Sequence, residues 1–103
     1  MTKPLRFEDE AAEELEVAAE WYEARREDLG TDFLLVVRDA LERIAEHPQT
    51  WPLVRSVPAH LDARRLLLRR FPYSIVFVEL PHEIRVLAIA HSSREPGFWR
   101  NRL

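Results

Sequence analysis

Residues 64–91 read RRLLLRRFPYSIVFVELPHEIRVLAIAH, and this stretch decides the fold because it has the composition of a β-sheet. β-Branched and aromatic residues occupy it where a helix would favour Ala, Glu or Lys, and Pro72 and Pro81 interrupt it at strand length. We therefore predict three antiparallel strands, over residues 64–70, 73–80 and 84–90.

The middle strand is apolar on both of its faces. Its residues alternate between one face, with Ile75, Phe77 and Glu79, and the other, with Val76, Val78 and Leu80. Neither face of such a strand can be left fully in water. We expect helices to cover one face of the sheet and a loop, a tail or a partner chain to cover the other.

Two helices are predicted in the part of the sequence that precedes this sheet. Apolar residues recur with helical spacing at Ala11, Leu15, Ala18 and Tyr22, which predicts a first helix over residues 9–28. Gly30 then falls where a left-handed C-cap would lie, and Thr31 can cap the next helix, which should end near Glu46 because Pro48 follows. Its apolar stripe is Leu34, Val37, Leu41 and Ile44, flanked by Phe33 and Ala45.

The segments outside the helices complete the predicted fold. Residues 3–7 alternate in polarity and fit an edge strand, and residues 48–63 contain three prolines that stiffen the crossing from helix to sheet. Trp51 should dock on the core within this crossing. We expect a single α+β domain over residues 1–103, with an N-terminal edge strand and a two-helix hairpin packed on a mainly antiparallel sheet.

The composition excludes several classes of protein. The 103 residues include no cysteine, which excludes disulfides and thiolate metal sites, and no apolar run is long enough to span a bilayer. The start of the chain lacks the apolar segment of a signal peptide, so we expect a cytoplasmic protein without membrane contact. The net charge of −3 divides sharply at residue 48: residues 1–47 carry 14 acids and 6 bases, whereas residues 48–103 carry 4 acids and 9 bases, all arginine.

Residues whose side chains can take part in catalysis lie at the strand ends. The candidates for a catalytic site are Arg65, Arg70, His91 and Arg94, with Tyr73 on the neighbouring strand. A histidine moves protons near neutral pH and guanidinium groups stabilise a charged phosphorane, as cleavage of RNA through its own 2′-hydroxyl requires. The alternative is structural: the arginines pair with the acidic helices, and His91, expected on the face of Leu87 and Ile89, is a hydrogen-bonded strand end. We predict neither a metal site nor a cofactor, because the remaining histidines show no ligand spacing.

Three motifs, in their order and spacing, resemble a known family. The segments WYE (residues 21–23), RFPY (residues 70–73) and AHSSREPGFW (residues 90–99) are similar to those of the RelE/ParE superfamily, the toxins of type II toxin–antitoxin modules often called plasmid stabilisation proteins. The resemblance covers nearly the whole chain. It implies a toxin that arrests growth when free and is neutralised by a bound antitoxin protein.

The resemblance leaves the target of the toxin open. RelE-like members cleave mRNA on the ribosome with basic residues, a histidine or a tyrosine, and Arg65, Arg70, His91 and Arg94 fall where such residues would be sought. ParE-like members are associated with inhibition of DNA gyrase. The single lysine and the negative net charge are unusual for a ribosome binder, so we favour gyrase over mRNA. A third hypothesis is an inert protein that only binds the antitoxin as a co-regulator.

Overall fold

A computed structural model describes residues 2–55 and 57–103 and shows two helices and a four-stranded mixed sheet. The elements are β1 (Leu5–Phe7), α1 (Asp9–Arg25), α2 (Leu29–Glu46), β2 (Arg64–Leu67), β3 (Tyr73–Glu79) and β4 (Ile84–His91), with short 3-10 turns at Pro48–Thr50, Ala59–Leu61 and Arg100–Arg102. The strand order is β1-β4-β3-β2. Strands β2, β3 and β4 are antiparallel, and β1 lies parallel to β4. The predicted α+β architecture and its N-terminal edge strand are confirmed.

Two predicted C-terminal boundaries are wrong by three residues, because the backbone leaves regular geometry early. Strand β2 ends at Leu67, not at residue 70, since the chain turns through Arg70, whose φ of 69° lies in the left-handed region. Helix α1 ends at Arg25, not at residue 28, because the backbone is already extended at Arg26, with φ −158° and ψ 136°; Asp28 follows with a left-handed φ of 67°. After glycine, short polar residues such as Asp are those that adopt this conformation most readily.

The helix hairpin covers one face of the sheet. The core on this side takes Ala11 and Ala18 from α1 and the β3 residues Ile75 and Phe77, which are fully buried. Helix α2 contributes Phe33, Val37, Ala40 and Ile44 to the same core. The prediction that Leu34 lies in this stripe is wrong, because α2 is rotated so that Phe33 points inward and Leu34 is 43% exposed.

The second face of the sheet is covered by the chain itself. Val76 and Val78 of β3 pack there against Val57 and Ala63 of the crossing segment and against Trp99 near the C-terminus. The expectation that a loop or a tail covers this face is confirmed. Trp51 docks instead on the helix-side core, as predicted, and its backbone carbonyl accepts a hydrogen bond of 2.7 Å from the Arg64 guanidinium.

A β-bulge in β4 changes which side chains share a face. Val76 pairs with Ala88 and Phe77 pairs with Val86, so Leu87 is an additional residue on the β4 side. Leu87 therefore lies in the second core with Ala88, while Ile89 returns to the helix side. The prediction that His91 shares a face with both Leu87 and Ile89 is wrong for Leu87, because strict alternation does not continue through a bulge.

Gly30 lies inside α2, and the prediction that it is a C-cap is wrong. The left-handed residue of the turn is Asp28, and Gly30 is buried where α2 passes closest to α1. A Cβ at this position would lie 2.5 Å from the carbonyl oxygen of Ala19. The Glu23 carboxylate accepts hydrogen bonds from the amides of Asp28 and Gly30, at 2.9 and 3.0 Å, and so closes the hairpin.

Within the described residues, no helix is both long enough and apolar enough to cross a membrane.

We predict that Gly30→Ala destabilises the protein by about 1–3 kcal/mol, the usual cost of forcing extra atoms into a packed site. Alanine is the better helix former by up to about 1 kcal/mol, but the added Cβ meets backbone and cannot be accommodated by a rotamer change. The measurement is urea unfolding beside the exposed neighbour variant Thr31→Ala. An unchanged or increased stability of Gly30→Ala would contradict the close approach of the two helices.

Candidate functional site

A groove runs between α1 and the ends of β3 and β4. It consists of two adjoining cavities of about 360 and 450 Å³, which share Val17, Ala18, Tyr73 and His91 as lining residues. We call this continuous depression the α1 groove. His91 lies at the centre of the groove, where the two cavities adjoin. It is held there because β4 extends one residue further than predicted and pairs His91 with Tyr73 of β3.

The two ends of the α1 groove differ in polarity. One end, the acidic end, is lined by three carboxylates of α1, those of Glu10, Glu13 and Glu14, and also by the guanidinium groups of Arg94 and Arg102. The other end is apolar and is lined by Trp21 and Tyr22 together with Pro72. Trp21 is 52% exposed and Val17 is 58% exposed, so apolar surface remains accessible here. The groove therefore offers both negative charge and hydrophobic contact to a ligand.

His91 has a defined orientation within the groove. Its ring lies edge-on to Tyr73, with centroids 5.0 Å apart and planes at 89°. The Ser93 amide donates a hydrogen bond of 3.0 Å to His91 Nδ1, and the Ser93 hydroxyl lies 2.7 Å from the same nitrogen. Because Nδ1 accepts, the hydrogen-bond pattern assigns the proton of the neutral ring to Nε2. His91 is thus a hydrogen-bonded strand end whose Nε2 remains available.

Tyr73 does not supply a base at neutral pH. Burial raises the pKa of its hydroxyl above the usual 10.0, and the nearby Tyr22 raises it further. Burial also raises the pKa of Tyr22. Both hydroxyls therefore stay protonated at neutral pH, so neither supplies a general base.

Glu14 and Arg102 form a clamp that joins α1, β4 and the C-terminus. Arg102 Nη1 and Nη2 donate to Glu14 Oε1 and Oε2, each at 2.9 Å, and Nη1 also donates to the Leu87 carbonyl at 2.9 Å. The Ile89 amide donates to Glu14 Oε1 at 3.1 Å. The clamp thus gives hydrogen-bond partners to two backbone groups of β4 that lie beyond its pairing with β1. Hydrogen bonding to Glu14 raises the pKa of Arg102, against the opposing effect of burial.

The sequence did not single out either member of this clamp. Glu14 lies three residues after Ala11 and four before Ala18, so its position on the inward side of α1 could have been noticed. Arg102 gave no such signal. The two residues are 88 positions apart, and no local pattern connects them.

Three of the four predicted site residues share one cavity, and the fourth does not. Arg65, His91 and Arg94 line a cavity of about 140 Å³ between the second face of the sheet and the C-terminal segment. Arg70 lies elsewhere, with its Nη2 3.6 Å from Asp32 Oδ2 of α2. Within the described residues, no group of three or more His, Cys, Asp or Glu side chains could hold a metal ion.

Comparison with known proteins identifies the family. The model for the ParE toxin of the type II toxin–antitoxin system, parDE, matches residues 5–96. The chain belongs to this family. The ParE family consists of toxin components, so the chain is the toxin component of a type II system. This confirms the RelE/ParE resemblance that the WYE, RFPY and AHSSREPGFW segments indicated.

One solved structure of similar fold comes from the chromosomal ParDE toxin–antitoxin system of P. aeruginosa. The two chains superpose with a TM-score of 0.62 at 24% sequence identity, over 87% of this chain and 96% of the other. This similarity shows that the present chain and the P. aeruginosa chain have the same fold. A search of curated proteins gave no significant match.

We predict that Glu14 and Arg102 stabilise the fold as a coupled pair. Each of Glu14→Gln and Arg102→Met should lower the free energy of unfolding by about 1.5–3 kcal/mol, the range for hydrogen bonds to charged groups. The double variant should lose less than the sum, with a coupling energy of about 1–2 kcal/mol. Arg100→Met, an exposed neighbour of Arg102, serves as the control. Additive losses in the double variant would mean that no clamp exists in solution.

Proposed function

We propose that this ParE-family toxin arrests growth by binding DNA gyrase, and that a cognate antitoxin protein neutralises it. The observation that carries the proposal is the acidic end of the α1 groove, where Glu10, Glu13 and Glu14 line the same cavity as His91. Family membership supports the same target, because ParE-like members are those associated with gyrase. Gyrase acts in the cytoplasm, so the proposal includes a cytoplasmic location.

The charges around His91 argue against cleavage of RNA. A phosphodiester entering the α1 groove would meet three carboxylates, and the Arg102 guanidinium beside them is already bound to Glu14. Arg70 is directed towards Asp32. Stabilisation of a phosphorane needs several donors that converge on one point. Of the two arginines that line this cavity, Arg102 is paired with Glu14, which leaves Arg94 alone for that role.

A ribosome-dependent mRNA endonuclease is the second candidate, and one observation favours it. Arg65, His91 and Arg94 line a common cavity, which brings a proton-transfer group close to two guanidinium groups. In that case His91 would be a general acid or base aided by the arginines. An inert co-regulator is a third possibility, and growth arrest by the free protein would exclude it.

The proposed antitoxin fits the exposed surface of the hairpin. Apolar side chains that remain accessible include Val17 and Trp21 on α1, and Leu34 and Leu35 on α2. The acidic end of the α1 groove lies beside the first pair. A helical or extended antitoxin segment that carries both apolar and basic side chains would match this surface, and a sheet edge offers further backbone pairing.

We predict that His91→Ala leaves toxicity unchanged when the protein is expressed without antitoxin. The substitution removes the hydrogen bonds with Ser93 and should cost about 1 kcal/mol of stability at most. His82→Ala, in an exposed turn, is the matched control. The readouts are growth arrest and thermal melting of the same variants. Lost toxicity with unchanged melting would support the nuclease alternative, in which cleavage should fall about a hundredfold or more.

We further predict that salt slows the association of toxin and antitoxin. Residues 1–47 carry a net charge of −8, and screening reduces the attraction between such a surface and a basic partner. Stopped-flow association rates at increasing ionic strength test this. A rate independent of ionic strength, or a complex in which the antitoxin contacts neither α1 nor a sheet strand, would contradict the proposed docking surface.

A further inference from the structure

Strand β2 forms one edge of the sheet, and the chain covers only part of this edge. In the order β1-β4-β3-β2 the strand has a neighbouring strand on one side alone. The crossing segment pairs with the start of β2, where the Arg65 amide donates to the Pro52 carbonyl at 3.1 Å. Beyond this bond, no loop of the described chain hydrogen bonds with the backbone of Leu67. We call the open part, residues 65–69, the β2 edge.

The backbone of Leu67 faces away from the sheet. Successive residues of an antiparallel strand direct their backbone groups to opposite sides. Leu68 donates to the Tyr73 carbonyl at 2.9 Å and so faces β3, whereas Arg65 faces the crossing segment. Leu67 therefore directs its N–H and C=O outward, as Arg65 does. Unpaired groups of this kind at a strand edge can pair with a further strand.

The side chains of the β2 edge combine one apolar group with two cations. Leu67 is 68% exposed, more than any other large apolar residue of the described chain. The exposed residues Arg65 and Arg69 lie two positions before and after it. Among the residues that the structure describes, no carboxylate oxygen lies within 4.0 Å of either guanidinium, although Glu95 lines one cavity with Arg65. The edge thus offers hydrophobic contact and positive charge.

We propose that the β2 edge binds an extended segment of a protein partner as a fifth strand, antiparallel to β2. Residues opposite each other in such a pair share a face. An aliphatic residue of the partner contacts Leu67, and acids two positions before and after it reach Arg65 and Arg69. Guanidinium groups bind carboxylates in a bidentate manner. In strand addition, main-chain hydrogen bonds supply affinity and the alternate side chains supply specificity.

Charge decides between this occupant and others. Two copies of the chain that paired their β2 edges about a two-fold axis at Leu67 would place Arg65 of each copy opposite Arg69 of the other, and like charges in opposite positions are destabilising. A basic segment of the kind proposed for the α1 groove meets the same repulsion. The inference goes beyond the proposed function, because it requires neither the antitoxin nor gyrase as the partner.

The test is the binding of labelled peptides to the purified full-length protein, measured by fluorescence anisotropy. The probe is the seven-residue peptide TETVTET, blocked at both ends. One matched probe replaces both glutamates by lysine, and another carries a methyl group on the valine nitrogen. Each should bind about tenfold or more weakly than TETVTET, because the first loses two charged contacts and the second loses a main-chain hydrogen bond and gains a steric block.

Variants of Leu67 separate the backbone contact from the side chain. Leu67→Pro removes the outward N–H without breaking a hydrogen bond to β3, and proline is tolerated at such edge positions. Leu67→Ala removes the side chain alone and is the matched control. TETVTET should bind Leu67→Pro about five- to tenfold more weakly than Leu67→Ala. In the unaltered protein, a saturating concentration of the peptide should slow hydrogen exchange of the Leu67 amide about tenfold or more.

A second pair of variants tests the charges. Arg65→Ala/Arg69→Ala should weaken the binding of TETVTET more than about tenfold, because both charge-assisted contacts are lost. The matched control, Arg25→Ala/Arg38→Ala, removes the same charge from exposed positions of the helix hairpin. It should change the affinity less than about twofold, because salt screens distant charges.

Any of five results would overturn the proposal. The first three are no binding of TETVTET at up to about 1 mM, equal affinities of the glutamate and lysine probes, and equal losses in the two double variants. The fourth is unchanged hydrogen exchange at Leu67 when the peptide is bound. The fifth is self-association of the protein in sedimentation experiments that Leu67→Pro abolishes, since a second copy would then occupy the edge.

Discussion

The pairing of β3 with β4 creates a surface that is apolar on both sides, and the rest of the fold is arranged to cover it. Phe77 is fully buried beneath the helix hairpin, while Val78, the next residue along, is buried beneath the crossing segment and the tail. Burial of apolar area is the main favourable term in folding. Neither cover can be removed without exposing a complete face of the central strands.

The same constraint separates the charges of the molecule. The acidic half of the chain supplies the edge strand β1 and the helices on one face, and the arginine-rich half supplies the other three strands and the cover of the second face. His91 lies at the boundary, at the end of β4, and lines cavities on both sides. The Glu14–Arg102 clamp carries an acidic group of α1 into direct contact with the C-terminal segment.

Much of this arrangement could be read from the sequence, because it follows from local periodicity. The alternation of residues 75–80 correctly placed Ile75 and Val76 on opposite faces, and the helical spacing correctly identified both helices. Leu34 was misplaced because a leucine and a phenylalanine side by side fit two rotations of the same helix equally well. Gly30 was misread because a glycine between helices is compatible with both a cap and a close contact.

The features that could not be predicted from the sequence depend on contacts between residues that are far apart along the chain. The bulge at Leu87 leaves no mark in a run of apolar residues, yet it decides which side chains of β4 share a face. The partners of Arg70 and Arg102 are acids on the helices, and sequence alone cannot choose among the 14 acids of the first half. Of the four candidate residues, Arg65, His91 and Arg94 line one cavity and Arg70 does not, and the function of all four stays a prediction.

The most direct test of the account is a parallel assay of the two targets with one preparation of the purified protein. DNA supercoiling by gyrase and cleavage of mRNA on programmed ribosomes are measured over the same range of toxin concentrations, each with and without antitoxin. The account predicts inhibition of supercoiling that the antitoxin relieves, and intact mRNA. Cleaved mRNA together with unaffected supercoiling would contradict it.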